Sequence, residues 1–152
     1  RVLMRGRRFD EFLKQAERSR KLDPNSVLTS VHLAIVYEDL GRFEDAIHEV
    51  ETHSGSTDGA DVRQVRAGLK AQGARGYWRA RLQVQSKNNA DDHRNMAHLH
   101  FMLGDNEAGL RELELAVQQR DPGIRFDIKS SPWWDPIRNA TRFQVLLRKV
   151  GY

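Results

Sequence analysis

Apolar residues recur along this chain at helical intervals, in blocks separated by legible breaks. Phe9, Phe12 and Ala16 stand at i, i+3 and i+7, one face of an α-helix. Phe43, Ala46, Ile47 and Val50 repeat that face, and Tyr77, Ala80 and Val84 repeat it again. Residues 27–40 predict another helix, with Leu33, Ala34 and Tyr37 on its packing side. Pro24, in Leu22-Asp23-Pro24-Asn25-Ser26, ends the helix before it, and Asn25 or Ser26 caps its start. Gly41 suits a left-handed helix terminus, and the next helix begins near Phe43. Small residues at Ala34 and Ala46 let two antiparallel helices approach closely. Near the C-terminus, Phe143, Leu146, Leu147 and Val150 predict a short final helix. Asp135-Pro136 reads as a cap followed by proline in the first turn. Residues 123–134 lack helical periodicity; Ile124, Phe126 and Ile128 alternate, which predicts an extended segment.

The helical blocks repeat. Phe9, Phe43 and Tyr77 are spaced by 34 residues, as are Phe12, Ala46 and Ala80, and Ala16, Val50 and Val84. A fourth copy lies 63 residues after the second, turning Leu33-Ala34 into Met96-Ala97 and Leu40-Gly41 into Leu103-Gly104. Ile47 and Val50 become Leu110 and Leu113. The step from third to fourth copy is 29, five short of 34, which predicts a shortened linker around Lys87-Asn88-Asn89. A fixed period of this size implies stacked helix pairs.

The stretch Leu33-Ala34-x-x-Tyr37-x-x-Leu40-Gly41-x-Phe43-x-x-Ala46, with the Leu22-Asp23-Pro24-Asn25 turn before it, closely resembles the tetratricopeptide repeat. The first copy keeps only its second helix and terminal turn. The third departs in its first helix, with Gly68 and Ala71 where the second copy has Ala34 and Tyr37. The fourth has His100 and Asn106 in place of Tyr37 and Phe43. The resemblance implies an all-α fold of antiparallel helix-pair repeats, stacked as a right-handed solenoid over residues 1–122. Its copies fall at about 1–24, 25–58, 59–89 and 90–122, and a capping segment follows at 123–152. Gly76-Tyr77-Trp78-Arg79, Trp134-Asp135-Pro136-Ile137-Arg138 and Arg142-Phe143-Gln144-x-Leu146-Leu147-Arg148 add a second resemblance. They are similar to a bacterial C-terminal module found after winged-helix regulators, serine/threonine kinases and adenylate cyclases. That implies a sensory or scaffolding role without catalysis. It also implies a cytoplasmic setting, or a periplasmic one if the module is fused to a membrane-spanning regulator.

In such repeats the first helix of each pair lines a concave groove. By resemblance, Leu28, Val31, Ile35, Val62, Val65, Leu69, Arg94, His98 and Phe101 face inward. Relatives that hold chaperone tails clamp a peptide carboxylate with Lys and Asn on these helices. Here Val31 and Ile35 stand in the corresponding places, so an apolar or amphipathic peptide suits the groove better. The expected partner is a protein or peptide. At the tail, Trp133 and Trp134 serve either the cap or an exposed partner anchor.

Composition removes several alternatives. The chain has 152 residues and no cysteine, so disulfides, thiolate catalysis and cysteine-based zinc sites are excluded. Hydrophobic residues make up 39%, enough for a packed core. No apolar run approaches the roughly 20 residues that span a bilayer. The opening Arg1-Val2-Leu3-Met4 is neither an initiator methionine nor a signal peptide, as expected of a piece of a longer protein. A first helix cut from its pair leaves Phe9, Phe12 and Ala16 open, which predicts self-association as a homodimer.

No phosphate-binding loop, nucleophile elbow or metalloprotease motif occurs. Glu44-Asp45 and Asp91-Asp92 sit at helix starts, where acids favour the dipole. His93, His98 and His100 cluster in sequence without an i, i+4 pair, and neither a metal nor any other cofactor is expected. The net charge is +4, with both signs interleaved. Arg63, Arg66 and Lys70 form a basic stripe, continued by Arg75, Arg79 and Arg81. It is the one basis for an acidic or nucleic-acid partner, and a solvated face is the simpler reading.

Overall fold

The computed structural model describes residues 2–53 and 59–151, with side chains from residue 9 onward except residue 53. Eight α-helices occur among them: α1 (Val2–Leu22), α2 (Val27–Asp39), α3 (Phe43–His53), α4 (Gly59–Asn89), α5 (His93–Met102), α6 (Asn106–Gln118), α7 (Pro122–Asp127) and α8 (Thr141–Val150). A 3-10 turn covers Pro132–Ile137. No strand appears among the described residues, so the fold is all-α. The repeat boundary read at residue 58 lies outside the described residues.

The chain divides into two compact units, residues 1–77 and 78–152, with the division falling inside α4. In the first unit, α2 packs on both α1 and α3. Ser26 caps α2 as expected, its hydroxyl accepting the Thr29 amide at 3.3 Å. Asp23 stabilises the turn before it by accepting the Asn25 amide at 3.2 Å. Leu33, Ala34, Ala46 and Ile47 are all buried, so the small residues do sit where helices meet. Of the three residues expected to stand open, Ala16 is buried, while Phe9 and Phe12 are half-buried and Phe12 meets His32 edge-on at 6.3 Å.

Two buried polar links tie the first unit together. Arg20 forks onto Glu49 at 2.9 and 2.6 Å and also donates to Ser30 at 3.0 Å. The Tyr77 hydroxyl donates to Glu38 at 2.5 Å, while its ring lies against Phe43 at 4.5 Å. Each satisfies a carboxylate that burial alone would penalise heavily.

Helix α4 is broken. Gln72 and Gly73 have non-helical angles, and Gly73 takes φ +61. The break separates an arm at 59–71 from one at 74–89. A side chain at Gly76 would fall 2.0 Å from the Gly68 carbonyl oxygen, so the chain folds back until two glycine backbones touch. Lys87, Asn88 and Asn89, expected to form a shortened linker, are helical. Residues 90–92 connect them to α5.

In the second unit, α5 and α6 pair through Ala97, Phe101, Leu110, Leu113 and Ala116. Phe101 fits a notch at Gly109, where a Cβ would lie 2.2 Å from the ring. Residues 123–134 are not extended. They hold most of α7 and the first half of the 3-10 turn, joined by a short turn, because Asp121 and Ser131 each cap a following proline. Ile124 and Ile128 are buried four residues apart, while Phe126 is 84% exposed. Asp135-Pro136 lies inside the 3-10 turn rather than starting α8, whose N-cap position is Ala140. Trp134 is fully buried with Ile137, Phe143 and Leu146 against the α5–α6 core. It is therefore no exposed anchor; the segment from Pro122 onward closes that core. Each such side chain contributes about 1.5–3 kcal/mol by leaving water.

Candidate functional site

Helix α2 is apolar on more sides than packing uses. Its buried arc holds Ser30, Leu33, Ala34, Val36 and Glu38. On the other arc, Leu28 is 65% exposed and Val31 46% exposed, with Ile35 half-buried one turn further along. Val27 adds to this apolar strip at its start, with His32 and Asp39 along one edge. An amphipathic helix keeps charged residues on its outer face; this one presents branched aliphatics there. α1 and α3 are the elements that pack most on this helix.

The remaining groove residues divide by unit. In the first, Val62 and Val65 are buried and Leu69 half-buried, all on the 59–71 arm of α4. In the second, His98 and Phe101 are buried and Arg94 is half-buried. Val62, Val65, His98 and Phe101 therefore offer no open surface. Their apolar or aromatic side chains are spent on packing, whereas Leu28 and Val31 are not.

His98 and Arg94 belong to a different arrangement, centred on a tryptophan. The His98 ring stacks on Trp133 at 3.9 Å and 13°, and Trp78 meets it edge-on at 5.7 Å. The Arg94 guanidinium lies 5.4 Å from the Trp133 ring centre and pairs with Asp127. Burial, with Arg81 and Arg94 nearby, holds the His98 imidazole down to about 3, so it is neutral at ordinary pH. Its Nδ1 has no hydrogen-bond partner among the described residues. Burial pushes the Asp127 carboxyl up, against the pull of Arg94. The sequence flags Arg94 and His98 but not Trp78, Trp133 or Asp127 as their partners, because contacts 20 to 39 positions apart leave no local signal.

The two histidines flanking His98 in sequence sit beside carboxylates. His93 Nδ1 lies 2.7 Å from Glu112, and His100 Nδ1 lies 3.9 Å from Asp105. No group of three or more potential metal ligands comes together among the described residues. Of the basic stripe, Arg66 is engaged by Glu51 at 3.0 Å and Glu44 at 3.5 Å. Arg63, Lys70 and Arg75 are exposed in the first unit, and Arg79 is exposed in the second. No described helix is long and apolar enough to cross a membrane.

Compared with protein-family models, curated proteins and solved structures, the chain finds no match.

Proposed function

We propose that this chain is a non-catalytic protein-interaction module of the tetratricopeptide-repeat kind, serving a larger regulatory protein. Its α2 face takes an apolar or amphipathic helical segment of a partner. The observation that carries this reading is the exposure of Leu28 and Val31 on one strip of α2, beside Ile35. Contiguous aliphatic surface of this kind marks a contact site more often than it marks idle surface. The 34-residue spacing and the Leu33-Ala34/Leu40-Gly41/Phe43/Ala46 pattern support the repeat assignment.

The test places a photo-crosslinking residue at Leu28 and compares otherwise native protein with Val31→Glu combined with Ile35→Glu. Adducts to a discrete partner are expected, falling about tenfold or more in the double variant, because central apolar contacts dominate interface energies. Far-ultraviolet circular dichroism establishes that the variant is folded. Equal crosslinking by a folded variant would remove α2 as the contact face.

The competing reading, nucleic-acid binding through the basic stripe, is weakened by the two carboxylates already engaging Arg66. It requires binding that falls steeply with salt. Absence of binding to single- or double-stranded oligonucleotides at low salt eliminates it.

A further inference from the structure

A groove runs along the second unit between the C-terminal ends of α6 and α8 and the start of α7. Two adjoining hollows of about 470 and 710 Å³ share Val117, Arg120 and Lys149 in their walls. Ile124, Leu146 and Val150 supply the apolar lining. Volumes of this size are typical of ligand sites. No aromatic ring lines either hollow among the described residues.

The charges in this groove are unevenly satisfied. Its two carboxylates are occupied within the fold. Glu114 is forked by Arg142 at 2.9 Å on both oxygens, and Asp121 accepts the Gly123 amide at 2.7 Å as the cap of α7. Arg120 and Lys149 are exposed, and neither has an ion pair or side-chain hydrogen bond among the described residues. The groove thus presents Arg120, and Lys149 whose charge also acts on Glu114, beside aliphatic walls.

Arg120 is also held against its backbone preference. It takes φ +55, the only described non-glycine residue at positive φ. It follows the C-cap of α6, the position that Gly41 occupies after α2 and Gly104 after α5. The closing hydrogen bonds match at all three ends: residue 41 to 38 and 42 to 37, 104 to 101 and 105 to 100, 120 to 117 and 121 to 116. Glycine is the comfortable occupant of such a terminus, and a long side chain there is strained. Strain retained where the chain elsewhere uses glycine points to a use for the side chain.

We infer that this groove is a binding site for an acidic peptide, one that sets a carboxylate between Arg120 and Lys149 and aliphatic side chains against Val117 and Val150. A planar guanidinium favours a carboxylate by paired hydrogen bonds. A polyphosphate or nucleic acid is a poorer occupant, because Glu114 and Asp121 would repel a run of negative charge and there is no ring for a base to stack on. The site uses none of the α2 residues and stands whether or not that face binds a partner.

The probe is acetyl-Leu-Glu-Leu-Glu-Leu-amide, titrated into the ¹⁵N-labelled 152-residue chain and followed by amide chemical shifts. Saturable shifts at Val117, Arg120, Ile124, Lys149 and Val150 are expected, and the glutamine counterpart of the peptide should give none. Arg120→Gly places the preferred residue at the strained position, so its Tm should equal or exceed that of the native chain. Its affinity for the probe should nonetheless fall about tenfold, as expected for loss of a charge-assisted hydrogen bond. Lys149→Gln should weaken binding in the same direction. Shifts elsewhere only, unchanged affinity in Arg120→Gly, equal binding of the glutamine peptide, or stronger shifts with pyrophosphate or oligonucleotide would each overturn the inference.

Discussion

The imidazole of His98 lies flat on the indole of Trp133, with ring centres 3.9 Å apart and planes within 13°. Trp78 closes its edge, and Arg81 and Arg94 place positive charge nearby. The folded chain therefore resists protonating His98 until the pH nears about 3, whereas the unfolded chain protonates it near its ordinary value. Below that ordinary value the unfolded state binds the extra proton, so stability falls as pH falls. The loss begins near pH 6.5 and amounts to about 2 kcal/mol by pH 5. Asp127, whose carboxyl burial pushes up, acts in the opposite sense, so the effect of His98 is read as a difference between the native chain and a His98 variant. Urea titrations of the native chain and of His98→Phe at pH 7.5 and pH 5.0 measure the difference. The variant should lose markedly less stability between the two pH values.

Gly76→Ala should be destabilising even though alanine is the better helix former. In an exposed helix the exchange gains about 1 kcal/mol. Here the new methyl meets the Gly68 carbonyl oxygen at 2.0 Å, and a backbone atom has nowhere to move cheaply. A net loss of about 1–3 kcal/mol is expected from thermal or chemical unfolding. A stabilised variant would show that the two arms do not touch at these glycines.

Removing one end of the Arg20–Glu49 fork should cost more than removing both. Glu49 has only 6% of its side chain exposed, and Arg20 29%. Glu49→Ala leaves a guanidinium with only Ser30 beside it, at about 2–3 kcal/mol. In a double-mutant cycle with Arg20→Met, the coupling should be favourable and above about 1 kcal/mol.

The C-terminal segment supplies a direct contrast between helix and strand. In an extended segment Ile124, Phe126 and Ile128 would share one face. Across α7 and its C-cap Ile128 only the two isoleucines do, and both are buried while Phe126 faces water. Phe126→Ser should change stability by about 0.5 kcal/mol or less, and Ile128→Ala should cost about 2–4 kcal/mol. Equal costs would favour the extended reading.

That segment also shows where the sequence stops being informative. The helices around Leu33, Ala34 and Gly41 are legible because cap, packing face and terminus lie within one local stretch and agree with each other. Residues 124, 126 and 128 satisfy a two-residue period, but 124 and 128 alone also satisfy a helical one. The deciding signals were Asp121-Pro122 and Ser131-Pro132, and the similar pair Asp135-Pro136 drew the cap to the wrong place. Among the candidate site residues, Leu28, Val31 and Ile35 were named by the resemblance to the repeat, and they lie on one strip of α2 with Leu28 and Val31 exposed. The burial of Val62, Val65, His98 and Phe101 was not, since it depends on which neighbouring element covers them. Arg120 carries a local signal of its own: an arginine where the equivalent turns of the chain carry glycine.

The break in α4 gives this protein a place where its chain can be opened. Gln72 and Gly73 are exposed and already outside helical geometry, so cutting or lengthening the chain between them removes little regular hydrogen bonding. A flexible insert at that point is charged chiefly for closing a loop, which grows by only about 0.6 kcal/mol for each doubling of its length. The same span suits a reporter domain carried as an insert, whereas dividing the protein into two fragments there would part Tyr77 from Glu38 and Phe43 in the first unit.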